Sequence, residues 1–187
     1  MLAFALGFDA YAQTEAEVFT AKNTVFVEAR WNAERDAAGY GRILHQKGRF
    51  KLSGSAGFSM WYYDRTSPSL RSTHWLPVVP LEVSALWGKS KHHLEIGTGI
   101  MPYLEPVPRL DPETSRRISD KLILSAELPI RVGYRYQKPE GGFFFRIGYV
   151  PAFHFSGDTG RRVSSPQNFG RINSLPIFVR LSLGMSF

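Results

Sequence analysis

From Asn23 to the end, the chain alternates apolar and polar residues in a period of two. A strand sends successive side chains to opposite faces, so each such stretch reads as a strand with one apolar face and one polar face. Eight stretches fit. The first puts Val25, Val27, Ala29 and Trp31 on one face, with Glu28 and Arg30 on the other. A weaker one, about Gly39 to His45, carries Arg42 on its polar side. Phe50 to Tyr63, Trp75 to Trp87 and His92 to Tyr103 follow, with Glu82 and Glu95 on polar faces. Leu122 to Tyr136 is very regular: Leu122, Leu124, Leu128, Ile130 and Val132 oppose Glu127, Arg131 and Arg135. Phe143 to Phe155 pairs with it in style and has Arg146 and His154 on its polar side. The eighth, ending at Phe187, sets Ile177, Val179, Leu181, Leu183, Met185 and Phe187 against Arg180, Ser182 and Gly184.

The connections predict how these strands are arranged. Residues 45–49, 88–91 and 137–142 are tight, glycine-bearing turns. Residues 64–73, 105–120 and 156–173 are polar stretches of ten or more residues that read as long loops. Short and long connections alternate, as they do in an up-and-down barrel whose short turns share one end. The expected fold class is therefore all-β: an eight-stranded antiparallel up-and-down transmembrane β-barrel over residues 23–187, with both termini on the periplasmic side.

The faces decide between water and lipid. A soluble barrel turns its apolar face inward, which would leave the polar face outside. That face is poor in Lys and Glu and is built of Gly, Ser and Ala with a few Arg and Glu. Small residues and paired charges suit the inside of a narrow barrel. The expected lumen network is Glu28, Arg30, Arg42, Glu82, Glu95, Glu127, Arg131, Arg135, Arg146, His154 and Arg180. Buried ions of this kind are tolerable only when paired and hydrogen-bonded. Eight strands give an interior just wide enough for side chains to fill, so a plugged lumen is expected rather than a pore.

Composition agrees. The 187 residues include 14 Phe, 8 Tyr and 4 Trp, and aromatics cluster near strand ends as an interfacial girdle would require. The absence of cysteine excludes disulfides and thiolate metal sites. The net charge of +7 is scattered along the chain rather than gathered on one face, which argues against nucleic-acid binding. The loop arginines Arg65, Arg71, Arg109, Arg116, Arg117, Arg161, Arg162 and Arg171 could pair with lipopolysaccharide phosphates. Lys47, Lys89 and Lys138 would lie near anionic headgroups of the inner leaflet. Residues 1–12 are apolar and end in Ala10-Tyr11-Ala12, the small-x-small pattern of a signal-peptide cleavage site, although Asp9 interrupts them and no Lys or Arg precedes. Residues 13–22 read as a lead-in.

No cofactor or metal is expected. His92 and His93 are neighbours on one strand and face opposite ways, so they do not chelate one ion. His154, Ser156 and Asp158 near a rim invite a reading as a lipid-modifying enzyme. His154 and Ser156, however, stand roughly 7 Å apart along a strand, too far for a direct bond without a bend.

Several segments also resemble a known family. Leu181-Ser182-Leu183-Gly184-Met185-Ser186-Phe187 looks like the assembly signal that closes outer-membrane proteins. With Val79-Pro80-Leu81-Glu82-Val83, Gly88-Lys89-Ser90-Lys91-His92, Gly133-Tyr134-Arg135-Tyr136 and Gly141-Gly142-Phe143-Phe144-Phe145-Arg146, it is similar to small uncharacterised outer-membrane β-barrel proteins of Bacteroidetes-type bacteria. The resemblance runs from Asn23 onward. It implies a Gram-negative outer-membrane location, a monomer, and recognition by the barrel-assembly machinery through Leu181, Leu183, Met185 and Phe187. It implies no activity and supplies no catalytic residue.

Overall fold

The computed structural model describes residues 16–30, 36–67, 70–114, 117–155 and 179–187. The expected signal segment and the loop 156–173 therefore lie outside the described residues. Ten strand segments are present: β1 (Asn23–Arg30), β2 (Ala37–Lys47), β3 (Phe50–Ser67), β4 (Leu70–Val78), β5 (Leu81–Trp87), β6 (His92–Leu110), β7 (Arg117–Gln137), β8 (Gly142–Tyr149), β9 (Ala152–Phe155) and β10 (Val179–Ser186). All pairings are antiparallel, and following β1–β2–β3–β5–β6–β7–β8–β10 leads back to β1. The sheet is closed, a β-barrel.

Two of the expected strands are each interrupted by a Val-Pro or Pro pair without losing register. β4 and β5 lie end to end on β3, with Ser59↔Val78 and Ala56↔Leu81 on one unbroken count across Val79-Pro80. β8 and β9 do the same on β7, with Val132↔Tyr149 and Pro129↔Ala152 across Val150-Pro151. Proline has no amide hydrogen to give a ladder, so pairing lapses locally while the strand direction continues.

Two expected loops are strands instead. β3 and β4 stay paired to Ser67↔Leu70, so residues 64–73 are mostly a hairpin arm. β6 and β7 stay paired to Leu110↔Arg117, so residues 105–120 are another. These arms lack apolar alternation, which is why they read as loops. The prolines Pro102, Pro106 and Pro108 fit the β6 arm because they share one parity. The Pro102 carbonyl accepts from the Val79 amide, so that parity points away from β7 and the missing donors break no β6–β7 bond. Asp111 turns the tip: its Oδ1 accepts the Glu113 and Thr114 amides at 2.8 and 3.2 Å.

The interior is inverted relative to a soluble domain. Val27, Val83, Ile96, Leu124, Val132 and Met185 are exposed on the outer face. Lys51, Glu95, Arg131, Arg135 and Arg146 are buried inside. Small residues make the room. Gly39 faces inward, and a Cβ there would come within 2.6 Å of the Phe26 ring. Gly141 takes φ of 99° in the β7–β8 turn, a conformation open chiefly to glycine.

Candidate functional site: a charged interior with a strap across the turn end

The inward positions of β1, β5, β6, β7, β8 and β10 meet near mid-barrel. Glu28 from β1 is the hub. Its Oε2 accepts from Arg131 Nη2 at 2.8 Å, Arg146 Nη2 at 2.7 Å and Ser182 Oγ at 2.9 Å, and its Oε1 accepts from Arg180 Nη1 at 3.3 Å. Glu82 Oε1 accepts from Arg131 Nε at 2.9 Å, Arg146 Nη1 at 3.1 Å and Ser84 Oγ at 3.0 Å. Glu95 stands 3.5 Å from Arg146 Nη1 and 3.9 Å from Arg135 Nη1. Arg135 also donates to Gln137 Oε1 and to Ser53 Oγ. The guanidiniums lie over aromatic faces as well, Arg146 on Phe26 and Arg135 on Phe144, each with its central carbon about 4.8–4.9 Å from the ring centroid. Arg131 and Arg146 thus each bridge carboxylates from different strands, which a single lysine charge could not do.

The turn end is closed by the chain's own residues 16–22. The Glu17 amide donates to the Lys89 carbonyl, Gln46 Nε2 donates to the Glu17 carbonyl, and the Thr20 amide donates to the Pro139 carbonyl. This strap therefore bonds to the β2–β3, β5–β6 and β7–β8 turns. It inserts Phe19, 1% exposed, into the mouth. There Phe19 meets the His93 ring edge-on at 5.4 Å and lies beneath Lys51 Nζ at 4.9 Å. The Ala21 carbonyl accepts from Gln137 Nε2, joining the strap to the Arg135 layer.

Above the charges, toward the loop end, Val78, Met101 and Tyr103 form a buried apolar cluster with Trp61 against it. A cavity of about 10 Å³ remains between this cluster and Glu28 and Arg180, room for about one water molecule. Beyond the cluster, Ser125 donates to Glu105, and Ser72 donates to Asp120 while its Oγ lies 2.8 Å from His74 Nε2. This serine, histidine and aspartate are not a catalytic triad in arrangement. His74 Nε2 is the atom facing both Ser72 and, at 3.8 Å, Asp120, so the carboxylate does not grip the ring from Nδ1.

Of the expected network, Glu28, Glu82, Glu95, Arg131, Arg135, Arg146 and Arg180 come together. Glu127 occupies an inward position of β7 opposite His154 in the β7–β9 ladder. The side chains of Arg30 and His154 lie outside the described residues, as do Ser156 and Asp158. Arg42 is a correction: it is exposed on the outer face of β2, opposite Asn23. Ile43 and Leu44 are adjacent apolar residues, and it is Ile43 that turns inward, which places Arg42 outside. Lys51, His93, Ser182 and the strap were missed. Lys51 was visible on a polar face, but nothing in residues 16–22 signals an inserted Phe19. Leu183, Met185 and Phe187 are exposed on the outer face, and Leu181 is half-buried. His92 lies outside, its Nδ1 2.5 Å from the Tyr134 hydroxyl. Of the loop arginines described, Arg109 is exposed.

No family model and no curated protein matches the chain. Among solved structures, the N-terminal β-barrel domain of Pseudomonas aeruginosa OprF is similar, at 12% identity over 89% of this chain and 94% of that one, with a TM-score of 0.46.

Proposed function

We propose that this chain is a monomeric transmembrane β-barrel of the Gram-negative outer membrane, non-enzymatic, with a structural or surface-interaction role carried by its outward loops. Eight strands cross the membrane, β4–β5 and β8–β9 each counting as one. Both termini lie on the periplasmic side with the tight turns. The observation that carries this reading is the inversion of the faces: Arg131 is 1% exposed while Leu124 and Trp75 are 67% and 65% exposed. Water would penalise so large an apolar exterior, whereas lipid accepts it. A closed sheet leaves no strand edge unpaired, the condition for a β-structure to span hydrocarbon. The lumen does not conduct, because the Glu/Arg cluster and the strap fill it. Leu181, Leu183, Met185 and Phe187 form the signal read by the barrel-assembly machinery, and loop arginines pair with lipopolysaccharide phosphates in the outer leaflet. The test is gel migration of detergent-extracted protein with and without boiling. A heat-dependent shift is expected, and recovery of a folded monomer in buffer without detergent would contradict the reading.

A further inference from the structure

Six cationic residues surround the turn end: Lys22 at the end of the strap, Lys47 at the end of β2 and Arg49 after it, Lys89 and Lys91 after β5, and Lys138 after β7. Among the described residues the nearby side-chain carboxylates are Glu17 and Glu140, and Glu17 Oε2 is engaged by Ser90 Oγ at 2.7 Å. The strap bonds to all three turns, which holds their cations around one rim. Immediately toward the barrel wall stand Phe50, Trp87, Phe143 and Phe187, all exposed on the outer face. Aromatic rings of this kind settle at the boundary between acyl chains and headgroups. Lys and Arg stems one to a few residues further out then reach the level of the phosphates.

We propose that this collar is a binding surface for anionic phospholipid headgroups of the leaflet on the turn side. The inference rests on the membrane reading above. Two observations carry it beyond an ordinary solvated rim. Among the described residues of this rim the cations outnumber the side-chain carboxylates three to one. They also flank aromatic residues that would fix their depth, so each charge meets a phosphate at the end of its reach. A phosphodiester monoanion is the matching chemistry, and zwitterionic headgroups, whose amine offsets the phosphate, fit it less well.

Trp87 stands in the collar and reports on it. The folded protein is placed in phosphatidylcholine vesicles doped with dibrominated phosphatidylcholine or dibrominated phosphatidylglycerol. The Trp87 contribution is taken as the difference from Trp87→Phe. Phosphatidylglycerol should associate about threefold or more strongly than phosphatidylcholine at this site. The preference should fall toward unity in K47Q/R49Q/K89Q/K91Q and in roughly 0.5 M salt, and persist in R109Q/K121Q at the loop end. Equal quenching by the two lipids overturns the collar while leaving the membrane reading intact. A chain that inserts into neither vesicle and is quenched by neither lipid overturns the membrane reading and the collar with it.

Discussion

Glu28 concentrates the energetics of the interior in one carboxylate. It accepts from three arginines and one serine, three of these donors sharing Oε2. Replacing it with Gln keeps the shape and removes the charge, leaving Arg131, Arg146 and Arg180 to repel one another. Breaking one partner out of a buried ionic set costs about 3–5 kcal/mol. Glu28→Gln should therefore lower the unfolding free energy of vesicle-embedded protein by that margin, read as a lower urea midpoint with little change in slope. Gly39 makes a steric prediction of a different kind. A side chain there must displace the Phe26 ring, which also carries Arg146. Gly39→Val should destabilise by about 1–3 kcal/mol, and Gly39→Val combined with Phe26→Ala should recover part of that loss. At this scale most of the site is legible in sequence, because a period of two assigns Glu28, Glu82, Glu95 and the arginines to one face. Arg42 shows where that logic breaks. Beside an Ile43-Leu44 pair either phase looks equally apolar, and the choice was settled by which neighbour fits inside.

At the scale of elements, residues 16–22 behave as part of the barrel rather than as a leader. Phe19 supplies the only large apolar side chain of the described strap that is buried, Val18 beside it being exposed. Phe19→Ala should lower stability by roughly 3–5 kcal/mol and speed amide exchange at Gln137, whose side chain bonds the Ala21 carbonyl. If exchange at Gln137 stays as slow as in the parent, the strap is an ornament and not a seal. This element was illegible because its signal is a single inserted ring, with no periodicity around it. The β3–β4 and β6–β7 arms were misread for the opposite reason. A paired arm with mixed polar and apolar side chains carries no clear hydrophobic period, yet its backbone pairing continues, in β6–β7 with a register shift at Arg109/Leu110. The β6–β7 arm rises past the apolar cluster of Val78, Met101 and Tyr103. Cleavage near its tip, at residues 111–114, should leave the barrel's heat-modifiable migration intact.

At the scale of the whole molecule, the described residues form a closed antiparallel sheet turned inside out, with charge within and apolar side chains without. Closure was foreseeable from the rhythm of short and long connections, but the strap across the turn end was not, since it depends on contacts between residues far apart in sequence. With the charged cluster in the lumen and the strap across the turn end, purified protein in a planar bilayer should give a flat current trace, and regular steps of current would show an open lumen. The most direct test concerns the outer face. The chain has no cysteine, so single cysteines can be placed at will. Spin labels at Val83→Cys, Ile96→Cys, Leu124→Cys and Val132→Cys would report on the surrounding medium in reconstituted vesicles. Collision with oxygen well above collision with a water-soluble nickel complex, at all four positions, is the expected result. Greater access to the nickel complex at these positions would contradict a barrel that wears its apolar face toward lipid.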